Sequence, residues 1–201
     1  MEGQDPKNLS DNKLKDLLVV YEKKLIVPKK KLSKQIIICP VGLVGAGKTT
    51  VIKPLSHKLS LLRISADEIR QLLKENGYNY NRNKEMVFTV ALKYLKQGFS
   101  IALDTNCASE EAQVYLKKIK NRFKVKIIWL HVNPPEQFII KKLRNYKHTW
   151  LFENSDQAVR NYYRTKSLYK NLNRPFLYTF DPSKNLARQL KEAITLIKNF
   201  D

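Results

Sequence analysis

Eight consecutive residues, Gly42-Leu43-Val44-Gly45-Ala46-Gly47-Lys48-Thr49, have the types and spacing G-x-x-x-x-G-K-[ST] of a loop that cradles phosphate groups. The glycines permit backbone angles and close approach that a Cβ would block. Gly42, Val44, Gly45, Ala46, Gly47, Lys48, Thr49 and Thr50 present successive backbone N–H groups at the start of a helix, where the helix dipole adds to their pull on an anion. Lys48 is placed to reach β- and γ-phosphates, and the Thr49 hydroxyl to ligate Mg²⁺. The chemistry this predicts is binding of a nucleoside triphosphate.

A second group of residues could act on that triphosphate. Asp67 falls in the first turn of an expected helix, with Arg70 three residues on and on the same face. Asp104-Thr105-Asn106 follows an apolar run that reads as a strand. A carboxylate at a strand end facing the γ-phosphate is what a kinase needs as base for an acceptor hydroxyl. Guanine-binding switches need D-x-x-G and N-K-x-D signals, and neither occurs with suitable spacing. Ring-forming ATPases place a second acid at the strand end, where Thr105 stands here. Subtraction leaves a small kinase.

The elements that must position these residues alternate along the chain. Apolar, β-branched runs at Gln35–Cys39, Leu61–Ser65, Phe99–Leu103, Val125–Val132 and Phe176–Phe180 predict five strands. Between them lie helical patterns. Ser65 with Glu68 and Asn133 with Glu136 read as capping boxes, Pro135 falling at the first helical position of the second. Ser109 and Asn154 read as further caps, Asp181-Pro182 as the opening of the terminal helix, and Pro54 as a kink or early end to the helix after the loop. Strands alternating with helices predict a three-layer α/β fold, a parallel five-stranded sheet flanked by helices on both faces. Ligands in such folds bind beyond the carboxyl ends of the strands. Residues 1–34 form an extension: an amphipathic helix carrying Leu14, Leu17, Leu18, Tyr21 and Leu25 on one face, stopped by Pro28 and followed by a basic connector. Residues 35–201 form the catalytic domain.

Composition narrows the setting. The chain of 201 residues carries a formal charge of +20, and ten Lys/Arg against the single acid Glu136 lie between Lys117 and Lys147. Such a cluster suits a polyanionic partner. Tyr146, Trp150, Phe152, Tyr162 and Tyr163 interleave with basic residues nearby and could stack on bases. No apolar run approaches the ~20 residues that span a bilayer. Two cysteines without metal-ligand spacing, and no charged-then-apolar leader, fit a cytoplasmic protein.

Gly42–Thr49, Asp67-x-x-Arg70 and Leu103-Asp104-Thr105-Asn106, in that order and spacing, resemble the 5′-hydroxyl polynucleotide kinases and the wider group of small phosphate-loop kinases that includes zeta-type toxins. The resemblance implies a phosphate-loop nucleotide-kinase-like fold, ATP as donor and Mg²⁺ as cofactor. It implies Asp67 as general base, Arg70 on a substrate phosphate, Asp104 holding Arg70 or the acceptor, and Thr105 at the acceptor's phosphate. It also implies a lid at about residues 145–157, with Arg144 as one of its arginines. Where a second lid arginine belongs stands His148, beside Lys147; either Lys147, Arg160 or Arg164 substitutes for it, or the enzyme is slow or uses another acceptor. Three functions follow: transfer to the 5′-hydroxyl of DNA or RNA, transfer to a small molecule such as a nucleotide-sugar, or a nucleotide-gated binding module without transfer.

Overall fold

The computed structural model describes residues 6–145, 151–169 and 174–200. Five parallel strands, β1 (Ile36–Val41), β2 (Leu62–Ser65), β3 (Ile101–Asp104), β4 (Lys126–Val132) and β5 (Phe176–Phe180), form one sheet in the order β2-β3-β1-β4-β5. β1 lies at its centre and every residue of it is buried. That is why its sequence is a continuous apolar run rather than an alternating one. Around the sheet pack α1 (Asp11–Lys23), α2 (Lys48–Lys58), α3 (Ala66–Glu75), α4 (Asn83–Lys96), α5 (Glu110–Arg122), α6 (Glu136–Arg144), α7 (Ser155–Lys166) and α8 (Leu186–Lys198), with a 3₁₀ turn at Ser167–Tyr169. The core divides into two clusters: one joins β2 and β3 to α1, α3, α4 and α5, and the other joins β4 and β5 to α2, α6, α7 and α8. This is the three-layer α/β fold that the alternation of strands and helices predicts.

Several local expectations need correction. α1 ends at Lys23, well before Pro28, so the proline is not its stop; Leu25 packs on the core from beyond the helix. Pro54 lies inside α2 without ending it. The carbonyl it leaves unbonded belongs to the exposed Thr50, where water can serve it. Asn133 does not cap α6: its N–H continues the sheet by donating to the Phe180 carbonyl at 2.9 Å, Pro135 takes the cap position, and Glu136 turns to Lys166 of α7. Asp181 does not open α8. It closes its own turn by accepting from the Ser183 N–H at 3.0 Å, and Asn185 caps the helix. Ser109 and Asn154 cap α5 and α7 as expected.

The start of α3 decides where Asp67 points. Ser65 Oγ accepts the Glu68 N–H at 3.4 Å, which is half of the expected capping box. The other half is absent because Glu68 pairs with Arg63 at 2.7 Å. The Ser65 N–H donates instead to the Tyr21 hydroxyl at 2.8 Å, reaching across from α1. Tyr21 is 1% exposed, and burial away from water lifts its hydroxyl pKa well above the ordinary tyrosine value. The N-terminal helix therefore completes a cap that the local sequence leaves open. Tyr21→Phe strips a buried donor of its acceptor and should cost about 1–3 kcal/mol of unfolding free energy. Urea denaturation measures it; a loss indistinguishable from zero would mean the bond carries no weight.

Candidate active site

The phosphate loop joins β1 to α2 and owes its shape to three glycines. Gly45 and Gly47 adopt φ of 78° and 98°, the left-handed region, and Gly47 is the N-cap of α2. A Cβ on Gly42 would stand 2.4 Å from the Val132 carbonyl of the neighbouring strand. A Cβ on Gly45 would stand 2.9 Å from Leu143, because α6 packs directly on the loop. Ala46 is fully buried beneath the turn, and Val44 packs partly buried against the second core cluster.

Lys48 folds back over this loop and donates to the carbonyls of Gly42 at 2.8 Å and Leu43 at 2.9 Å. Burial pulls its pKa down to about 8, against the attraction of Asp67 and Asp104. Thr49 Oγ1 donates to Asp104 Oδ1 at 2.9 Å. Thr50 follows, exposed, on the first turn of α2. The loop, Asp67 and Asp104 thus share the carboxyl edge of the sheet.

The structure pairs the acids differently from the expectation. Asp104 holds Arg63, not Arg70: Arg63 Nε donates to Asp104 Oδ2 at 2.9 Å and its other nitrogen to Glu68. Burial raises the Asp104 pKa, with Arg63 and the Thr49 hydrogen bond opposing. Arg70 instead donates to Asp67 Oδ1 at 2.6 Å, three residues back on α3. With the Asn83 amide turned so that both ends are satisfied, it donates to the Ala66 carbonyl and accepts from Arg70 Nε at 3.2 Å. Asp67 keeps 46% of its side chain exposed, open to an acceptor. Thr105, 5% exposed, accepts from Lys84 of α4 at 2.7 Å. The sequence reading missed Arg63 and Lys84, since neither stands in a motif and each is defined by partners 41 and 21 residues away.

The lid side also departs from expectation. Arg144 is exposed and lines a groove with Glu136, Gln137, Ile140 and Tyr163 that contains no residue of the phosphate loop. The basic residue of α6 that reaches the loop is Lys142, whose Nζ lies 3.8 Å from the place a Cβ on Gly47 would take. Successive helical residues turn through about 100°, so with Leu143 seated on Gly45, Lys142 and Arg144 project to opposite sides. Lys142 has its pKa lowered by burial. Arg160 and Arg164 are exposed on α7. Tyr146, Lys147, His148 and Trp150 lie outside the described residues. Of that aromatic group, Phe152 and Tyr162 pack into the core, and Tyr163 is exposed with its ring edge-on to Tyr162.

A cavity of about 510 Å³ opens beside the loop, lined by Leu43, the Asn133–Glu136 turn, Tyr162, Lys166, Tyr169 and Asp181. Tyr169 meets the Asn106 side chain, joining this cavity to the end of β3. The basic run from Lys117 onward does not gather here. α5 runs back from the carboxyl edge, so Arg122, Lys124 and Lys126 collect at the opposite edge of the sheet. Among the described residues no helix is long and apolar enough to cross a membrane.

A family model described as an AAA domain matches residues 37–163. No curated protein sequence matches the chain. Among solved structures, the fold is similar to the APS kinase of Mycobacterium tuberculosis in complex with AMPPNP and APS. That match is 17% identical, with a TM-score of 0.57 over 82% of this chain and 98% of that one. It is similar to shikimate kinase from Acinetobacter baumannii at 21% identity, with a TM-score of 0.52 over 82% and 94% of the two chains. A putative kinase from Chloroflexus aurantiacus matches at 14% identity, with a TM-score of 0.67 over 83% and 98%. At these identities the likeness is one of fold, and none of it singles out the polynucleotide kinases.

Lys48 supplies a pH test of the loop. An anion needs its ammonium form, and burial pulls the Lys48 pKa down to about 8. A neighbouring phosphate would raise that pKa. Affinity for a non-hydrolysable nucleoside triphosphate should therefore be full below this pH and fall above it, by up to about tenfold per pH unit. Calorimetric titration across the range checks the slope. Lys48→Ala should weaken binding and flatten the profile, and a level wild-type profile would contradict the assignment.

Proposed function

This chain belongs to the AAA domain family, and on that premise we propose that it transfers the γ-phosphoryl group of ATP to a hydroxyl of a small-molecule acceptor. The observation that carries the reading is Asp67: a half-exposed carboxylate, fixed by Arg70 at 2.6 Å, on the same sheet edge as the phosphate loop.

Each residue then has one task. Backbone N–H groups of residues 45–49 and Lys48 Nζ hold the triphosphate, Lys48 exchanging the Gly42 and Leu43 carbonyls for phosphate oxygens. Asp67 takes the proton from the acceptor hydroxyl as its oxygen attacks the γ-phosphorus, and the bond to the β-phosphate oxygen breaks to release ADP. Lys142 is the α6 cation nearest the loop and opposes the charge that builds on the transferring group. It is a point charge and lacks the two-pronged grip of an arginine. The Thr49 hydroxyl and Asp104 carboxylate, two hard oxygen donors 2.9 Å apart, fit Mg²⁺, which binds few protein oxygens and completes its shell with water and phosphate. When bound, that ion neutralises phosphate charge.

The small-molecule acceptor is supported by the printed activities of the similar structures, APS kinase and shikimate kinase, and by the division of the basic run between the two edges of the sheet. The 5′-hydroxyl of DNA or RNA is the second reading, supported by the formal charge of +20. A panel of small hydroxyl compounds and 5′-hydroxyl oligonucleotides with γ-labelled ATP separates them. Label on a small compound, with kcat reduced about 10²- to 10⁴-fold in Asp67→Asn and nucleotide affinity retained, is the expected result. Label on an oligonucleotide, lost steeply as salt rises, would transfer the assignment to the second reading. Nucleotide binding without transfer to any acceptor would leave a nucleotide-gated module.

A further inference from the structure

Besides Lys142 of α6, four basic side chains lie around the crevice, and they fall into two kinds. Arg63 faces Asp104 and Glu68, and Arg70 faces Asp67. Lys48 and Lys84 face only neutral oxygens: Lys48 the carbonyls of Gly42 and Leu43, Lys84 the Thr105 hydroxyl at 2.7 Å and the Asn106 carbonyl at 3.1 Å. Among the described residues neither has a carboxylate within ion-pair distance. Both are held below the ordinary lysine pKa by burial. An ammonium taken out of water without a counter-charge is costly, and its partial neutral contacts do not repay that cost. Asp67 and Asp104 attract Lys48 without pairing with it, and the triphosphate of the donor would be its direct counter-charge. Lys84 stands at the end of β3, held by Thr105 and Asn106 and within the electrostatic reach of Arg70, Glu111 and Asp67, and its side chain is partly exposed rather than sealed.

We propose that Lys84 is the anion-binding residue of the acceptor half, and that the acceptor is a small hydroxyl compound bearing a phosphate or carboxylate oxyanion. The proposal rests on the phosphotransferase reading above and narrows its substrate class. An oxyanion seated on Lys84, within the electrostatic reach of Arg70, would turn the rest of the acceptor toward Asp67, whose carboxylate Arg70 already holds. Neutral polyols and sugars would leave the ammonium unpaired and should be poor acceptors.

The competing explanation is that Lys84 is a staple joining α4 to the end of β3, and the test separates the two. Protein saturated with magnesium and AMPPNP, so that the phosphate loop is filled, is titrated with inorganic phosphate and, separately, with acetate. Sodium chloride of equal ionic strength is the reference, and the melting temperature is read. At least one oxyanion should raise it above chloride. Lys84→Met should weaken that response about tenfold or more while Lys84→Arg keeps it, the difference expected for a hydrogen bond to a charged group. Without oxyanion, Lys84→Met should melt no lower than the wild type, because an unpaired buried charge has been removed. No oxyanion response in the wild type, an equal response in Lys84→Met, or a Lys84→Met protein destabilised equally with and without oxyanion would overturn the proposal. If AMPPNP itself fails to bind, the phosphotransferase reading is what fails. The titration is then repeated in a Lys48→Ala background, which removes the anion site of the loop and leaves the question about Lys84 intact.

Discussion

One buried carboxylate ties the halves of this crevice together. Asp104, at the end of β3, accepts from Thr49 at the start of α2 and from Arg63 on β2. Two elements that never pair in the sheet are thereby fixed to the strand that lies between one of them and β1. Removing one partner of such a buried pair typically costs about 3–5 kcal/mol, because the other charge is left unpaired. Arg63 then engages Glu68, Ser65 caps α3, and Tyr21 closes that cap from α1. The position of Asp67 follows from this chain of contacts.

The sheet order explains why one carboxylate can do this. With β1 central and β3 beside it, the loop after β1 and the residues after β3 emerge side by side, and β2 delivers α3 next to them. The phosphate loop is built on β1 and α2, and the proposed acceptor half on β2, β3, α3 and α4. α6 reaches over from the other core cluster through Leu143 on Gly45 and Lys142 near Gly47. Each half carries a lysine hydrogen-bonded to neutral oxygens, Lys48 in one and Lys84 in the other.

Much of the fold was legible because its signals are local. β1 is an apolar run, Ser65, Ser109 and Asn154 are caps with a hydrogen-bonding side chain, and the glycine loop has its strand before it and helix after it. The placement of the motif residues was legible as well: Lys48, Thr49, Asp67 and Asp104 share one edge of the sheet. What sequence could not supply was set by distant partners. Asn133 and Asp181 look like caps, yet one continues the sheet and the other closes its own turn. Arg63, Lys84 and Lys142 gain their meaning only from what the fold brings beside them. The same holds for Arg144, whose helical phase turns it away from the loop once Leu143 is seated.

The central claim is that the phosphate loop and Asp67 are two parts of one reacting centre. A crystal structure with magnesium and AMPPNP tests it most directly. The account predicts that Lys48 Nζ leaves the Gly42 and Leu43 carbonyls for the β- and γ-phosphates while Thr49 and Asp104 remain adjacent. The γ-phosphate should then face Asp67 across a space that admits one acceptor hydroxyl. A triphosphate bound away from Gly42–Thr49, or a γ-phosphate pointing to the side of the sheet away from α3, would contradict it.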